Sequence, residues 1–203
     1  MTAEIAALDG IDRDGLIRPD ASIEALAKLA PVFDRSATGT ITAGSSSPLT
    51  DGAASVLLMS EQRAEREGCR PLAFVKAMVN ASIDPMDGLL MGPCVAVPRL
   101  LDETGLTLAD MDVVEMHEAF AGQVLCNLKA WELGWLEPAI GRVAMERLNP
   151  LGSSIAVGHP FAATGVRIVV TLANELERRS GRYGLLSICG AGATAVAMIL
   201  ERP

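Results

Sequence analysis

The chain has 203 residues, 50% apolar and 21% charged, which suits one substantial core and excludes a disordered polypeptide. Asp and Glu outnumber Lys and Arg by 25 to 17, and only seven residues are aromatic. Without a basic stripe or a stacking platform, no nucleic-acid partner is expected. Two histidines, His117 and His159, and four scattered cysteines without a CxxC pair exclude a His-rich or zinc-knuckle metal site and fit a reducing compartment. Met1-Thr2-Ala3-Glu4 has neither the basic nor the apolar region of a secretory signal, so a cytoplasmic location is expected.

In chain order, Asp20 is placed to cap a short helix carrying Ile23, Leu26, Ala27 and Leu29, ended by Pro31. A small-residue loop follows from Thr38 to Gly52. Ala53 to Met59 is a continuous apolar run and predicts a buried strand. Ser60 caps a charged helix ending near Gly68, and Pro71 to Ala81 predicts another strand. Pro93 to Thr104 predicts a helix, with Pro93 and Pro98 near its start and Gly105 closing it. A short strand is expected at Val113–Met116, then a helix from Ala119 to Leu133 ended by Gly134. The strongest helix pattern is Phe161 to Arg179, with Pro160 at its first position and Arg167, Thr171, Asn174 and Arg178 on one face. Tyr183 to Leu200 carries no charge, yet Cys189-Gly190-Ala191-Gly192 interrupts it. Two closing strands, Leu185–Cys189 and Thr194–Leu200, fit better than a membrane span. Strands alternating with helices predict a mixed α/β layer fold.

Three spots pair a reactive side chain with a small-residue backbone. His117 stands at a strand-to-helix switch, where α/β sheets gather ligands. His159 precedes the long helix, whose positive end favours a neutral imidazole able to act as a base. Cys189 ends a strand before a Gly-rich turn whose N–H groups can face an oxyanion. Each also has an ordinary reading: a hydrogen-bonded structural His, an inert buried Cys, a plain hairpin turn.

Taken together, Thr40-Ile-Thr-Ala-Gly-Ser-Ser-Ser-Pro-Leu-Thr-Asp-Gly-Ala-Ala, His117-Glu-Ala-Phe-Ala-Gly-Gln, Gly158-His-Pro-Phe-Ala-Ala-Thr-Gly and Cys189-Gly-Ala-Gly resemble the thiolase signatures, in thiolase order and across almost the whole chain. The His-Glu-Ala-Phe form is similar to thiolases of the β-oxidation trifunctional type. The resemblance implies a layered α-β-α-β-α fold with a mixed sheet, and CoA-dependent thiolysis of 3-ketoacyl-CoA or the reverse Claisen condensation. It makes coenzyme A or acyl-CoA a substrate, with no tightly bound cofactor. It assigns activation of the nucleophilic Cys to His159 and the acid/base at the acetyl Cα to Cys189. His117 stands where most thiolases have an Asn that holds an oxyanion-hole water. Gly190 and Ala191 line the second oxyanion hole, where Ala191 replaces a Gly and its Cβ is awkward if φ is positive. Ser47, Ala43 and Gly44 fall near the pantetheine, Ser47 having a turn-forming hydroxyl as its equal alternative.

By the same resemblance, residues 1–37 are a loop-region remnant with a short helix, 38–69 the last part of the N-terminal domain, and 70–203 the C-terminal domain. The half carrying the nucleophilic Cys is missing. Cys69, Cys94 and Cys126 lie outside its context and are expected to be structural. Either a separate N-terminal-half subunit supplies the Cys, in a heterotetramer with two copies of each chain, or the chain is a fragment or a degenerate relative; the Met1 start favours a natural subunit. The alternative is a non-catalytic acyl-CoA-binding or scaffold protein of the same ancestry. Retention of both His159 and Cys189 favours the enzyme.

Overall fold

The computed structural model describes residues 4–203, so the reading of the first three residues lies outside it. Its centre is a four-stranded sheet in the order β1-β4-β3-β2: β1 (Phe74–Ser82), β2 (Met111–Met116), β3 (Tyr183–Gly190) and β4 (Thr194–Glu201). β4 runs antiparallel to both β1 and β3, while β2 and β3 are parallel, so the sheet is mixed as predicted. The charge-free stretch that opens at Tyr183 is indeed two strands around a turn. Among the described residues no helix is long and apolar enough to cross a membrane.

Alternation along the strands sorts side chains to two faces. Val114, Leu185 and Ile199 join one apolar cluster with Val97 and Leu100 of α3 (Pro93–Thr104) and with Val124 and Trp131 of α4 (Ala121–Leu133). Their chain neighbours Val113, Leu186 and Leu200 point the other way. They pack with Ile168, Leu172 and Leu176 of α6 (Phe161–Arg179). Both sheet faces are thus covered, giving a helix–sheet–helix arrangement. Trp131 is 1% exposed, and its indole N–H donates to the Pro93 carbonyl at 3.1 Å, tying α4 to the start of α3.

The element ends follow local chemistry, with some departures. The first helix, α1 (Ile23–Leu26), is capped by the Ser22 hydroxyl rather than by Asp20, because Ser22 directly precedes the first turn and accepts from the Ala25 N–H. Ser60 caps α2 (Glu61–Glu67) as predicted. Pro98 is the sixth residue of α3, well inside the helix rather than near its start. Pro160 is the N-cap of α6, one place before the predicted position. A further short helix, α5 (Ser154–Val157), forms in the stretch after Gly152, for which no helix is predicted.

The largest departure is Ala53–Met59. It is neither a strand nor buried: Leu57 is 79% and Leu58 72% exposed. A strand needs a neighbour for its backbone N–H and C=O groups. The sheet is built entirely from residues 74–201, and no described strand lies beside this segment.

Candidate functional site

The site forms at the C-terminal ends of the parallel strands β2 and β3. His117 is the first residue after β2, and its N–H donates to the Ser187 carbonyl of β3 at 2.9 Å. Cys189 lies near the end of that same β3, 4% exposed. His159 arrives from the turn between α5 and α6, and its ring centroid is 4.0 Å from that of His117, with the planes tilted by 38°. The structure therefore brings both predicted imidazoles into contact and sets Cys189 on the strand beside them.

The turn holding His117 is clamped from behind. Asn149 Oδ1 accepts from the Met116 N–H at 2.7 Å, and its Nδ2 donates to the Met116 carbonyl at 3.0 Å and to Glu118 Oε1 at 2.7 Å. Glu118 Oε2 in turn accepts from the Ile155 N–H at 3.1 Å. Asn149 takes a left-handed φ of 43°, which Asn tolerates better than most residues. The Asn149-Pro150 dipeptide was the available turn signal for this clamp, and the candidate residues omit it.

The loop from residue 43 to residue 50 lies across both histidine motifs. The Ser47 N–H donates to the Ala119 carbonyl at 3.0 Å, and the His159 N–H donates to the Pro48 carbonyl at 2.9 Å. Gly158 has φ +84°, and a Cβ there would meet the Thr50 side chain at 2.5 Å, so the approach of loop to motif requires glycine. Ala43 and Gly44 belong to a single 3-10 turn capped by Thr42. A Cβ on Gly44 would lie 2.4 Å from a terminal methyl of Leu26, so this glycine packs against α1. Ser47 is half-buried and shares the site's rim through its backbone.

Gly190 closes β3, and the turn after it holds Ala191 and Gly192 at the surface. The positive φ values in this turn fall on Gly192 (+78°) and Ala193 (+57°), not on Ala191. The Cβ of Ala191 is therefore not strained by a left-handed backbone. The left-handed alanine of this turn is Ala193.

Burial sets the protonation states. It pushes His117 down to about 3, with His159 and Arg167 adding to the effect. It also lowers His159, again helped by Arg167. Both rings are neutral at neutral pH. Burial raises the Cys189 thiol to about 11, so it carries its proton and can give it up only to a strong base or a developing carbanion. Cys94, raised to about 12 by burial and then by Cys126, donates to Asn127 inside the core at 3.1 Å. Cys69 and Cys126 are exposed, away from the two rings on α2's end and on α4. Among the described residues no cluster of three His, Cys, Asp or Glu is placed to hold a metal ion.

The family described as "Thiolase, C-terminal domain" matches residues 69–202, and "Thiolase, N-terminal domain" matches residues 3–62. The 3-ketoacyl-CoA thiolase of Shewanella woodyi is 48% identical over 198 residues, covering 94% of this chain and 45% of the relative. That of Yersinia enterocolitica is 47% identical over 210 residues, covering 99% and 48%. The crystal structure of Bacillus anthracis acetyl-CoA acetyltransferase superposes with a TM-score of 0.83 at 38% identity, covering 94% of this chain and 45% of the other. Human mitochondrial 3-ketoacyl-CoA thiolase in complex with CoA gives 0.80 at 34% identity, with the same coverage. The chain spans about half the length of the curated relatives it matches. With nearly all of its length matched by the two halves of one fold, the chain belongs to the thiolase family.

Proposed function

We propose that this chain supplies the acid/base half of a 3-ketoacyl-CoA thiolase site, and that a partner subunit supplies the nucleophilic Cys. The observation that carries this reading is the convergence of two neutral, contacting imidazoles and a protonated, buried thiol at one pair of strand ends. A neutral His159 takes the proton of the incoming thiol and leaves a thiolate to attack the keto carbonyl. Cleavage between Cα and Cβ then releases acetyl-CoA as a carbanion at Cα, which Cys189 protonates. CoA, whose thiol is deprotonated in its turn, lifts the acyl group off the enzyme. Run backwards, the same groups perform the condensation. His117 stands beside the reacting oxygen as a polar contact, and the N–H groups of Gly190 and Ala191 face the second oxyanion. Ser47, Ala43 and Gly44 lie on the loop that would border the pantetheine.

The exposed run Ala53–Met59 supports the partner. Leu57 and Leu58 together with Val56, 42% exposed, form an apolar segment with unpaired backbone. An interface that completes a sheet around it is expected to bury more than about 2,000 Å². A heterotetramer with two copies of each chain follows from pairing two such units. Four cysteines without a disulfide suit a cytoplasmic enzyme. Co-expression with the adjacent reading frame, followed by native mass measurement, tests this. A 2:2 complex that turns over acetoacetyl-CoA supports the reading. A lone, cooperatively melting monomer that binds acyl-CoA would replace it with a non-catalytic binding protein.

A further inference from the structure

The two imidazoles contact one another, yet their ring nitrogens face different partners, and both partners trace back to one turn of α6. His117 Nδ1 is 2.8 Å from Ser154 Oγ, and His159 Nδ1 is 2.7 Å from Thr164 Oγ1. Ser154 is fully buried. Its hydroxyl oxygen also lies 3.4 Å from Arg167 Nη2, a nitrogen that can only donate, and which reaches Ser153 Oγ at 3.1 Å as well. With that donor on its oxygen, the Ser154 O–H has one acceptor within reach among the described residues, His117 Nδ1. That nitrogen must then be bare, and the His117 proton sits on Nε2.

Thr164 works the other way. Its hydroxyl has an outlet in the Pro160 carbonyl at 3.2 Å, one helical turn back. The Thr164 oxygen is thereby left to accept, so His159 Nδ1 carries the proton and His159 Nε2 is bare. Thr164 and Arg167 are three residues apart and share a face of α6.

We propose that Thr164 and Arg167 are positioning residues that hold the two imidazoles in opposite tautomers, His117 as an Nε2–H donor and His159 as an Nε2 base. A base and a hydrogen-bond donor side by side are what a thiol and a carbonyl oxygen need together. The catalytic consequence rests on the thiolase reading; the tautomers themselves do not.

The surroundings favour neutral rings with fixed protons. Arg167 lies near them with the carboxylates of Glu115, Glu118, Glu4 and Asp14 acting on it; of these Glu115 is fully buried, neither of its carboxylate oxygens has a hydrogen bond, and burial raises it to about 8 against the opposing pull of Arg167. At neutral pH Glu115 is mostly protonated, and the guanidinium charge lowers the proton affinity of both imidazoles.

With only two histidines, the full 203-residue chain labelled with ¹⁵N gives just two imidazole patterns in long-range ¹H–¹⁵N spectra. At pH 7 the expected result is one ring protonated at Nε2 alone and the other at Nδ1 alone, identified by His117→Gln. Thr164→Val is expected to move the His159 proton to Nε2. Arg167→Met and, independently, Ser154→Ala are expected to move His117 from a single tautomer to a mixture. Ser153→Ala, which touches Arg167 but neither ring, is expected to leave both patterns alone. Two rings with the same pattern in the wild-type chain would overturn the proposal, whatever the variants do. So would an unchanged His159 in Thr164→Val, or an unchanged His117 in both Arg167→Met and Ser154→Ala. Opposite tautomers in a complex that performs no thiolysis would retain this inference and sink the functional reading instead.

Discussion

Leu172 and Leu176 on α6 are fully buried, while Leu57 and Leu58 in the front segment stand 79% and 72% exposed. The contrast runs through the whole molecule. Before position 69, Ala64 is the only buried apolar side chain among the described residues, whereas Ile11, Ile23, Phe33 and Leu49 are all more than two-thirds exposed. Residues 74–201 close two apolar clusters around one sheet. The rear region is a finished domain by its own contacts. The front region carries the composition of a core without burying one, and it meets the rear through the loop that hydrogen-bonds to the histidine motifs, through Glu4 on Thr171 and Arg178, and through Phe33 against Phe120. The site's His117 and Cys189 are buried on the rear side, and the front loop lies across the two histidine motifs.

The sharpest way to break this comparison is chemical. In the assembled enzyme, Cys189→Ser and His159→Ala are each expected to lower thiolysis at least about a hundredfold, the scale of a lost acid or base. Affinity for CoA is expected to change far less, as calorimetry would show. Near-full activity of Cys189→Ser would remove it from the acid/base role.

A pair of truncations sharpens the packing side. Leu172→Ala opens a void in a closed cluster and is expected to cost about 2–5 kcal/mol in chemical denaturation of the chain. Leu57→Ala, in the exposed run, is expected to stay within about 0.5 kcal/mol in the same experiment. In the complex the order is expected to narrow, because the exposed leucine would weaken partner binding. A large loss from Leu57→Ala in the isolated chain would show that the front segment is already packed.

The pH dependence of the finished region has two opposing contributions. His117 falls from 6.5 to about 3 on folding, so below 6.5 the unfolded chain binds a proton that the folded chain refuses. Stability from this group falls as pH drops from 6.5 toward 3. Glu115 rises from 4.5 to about 8, so above 4.5 the unfolded chain releases a proton that the folded chain keeps. Its contribution falls as pH rises from 4.5 toward 8. The two oppose between 4.5 and 6.5, and Glu115 dominates above. Glu115→Gln is expected to flatten the decline between pH 6.5 and 8 in urea titrations while leaving the acid limb. An unchanged alkaline limb would contradict the burial of an unpaired carboxyl.

Much of the finished region is legible in the residue pattern because it obeys local rules. A charge-free run broken by a glycine turn marked β3 and β4, glycine stops closed α3 and α4, and the long apolar face with Pro160 ahead of it marked α6. Ala53–Met59 misled because an apolar run encodes a demand for burial, not the presence of something to bury against. The predicted site residues His117, His159 and Cys189 showed themselves through small-residue surroundings and family motifs. Asn149 and Ser154 did not, and Thr164 and Arg167 were visible only as a motif position and a polar helix face, without a role. Their roles depend on which hydroxyl, carbonyl or ring nitrogen they reach across the fold, and sequence periodicity carries no signal for that. Ser22 displaced Asp20 as a cap for a similar reason: both are good caps, and a shift of two residues decided which faced the free N–H groups.

The claim that the site is completed from outside these 203 residues is tested most directly by assaying CoA-dependent cleavage of acetoacetyl-CoA with the purified chain, alone and then as the co-expressed complex. The account predicts no turnover from the chain alone and robust turnover from the complex, lost when the partner's cysteine is alkylated. Sustained turnover by the chain alone would contradict it, since the nucleophile would then lie among the residues described here.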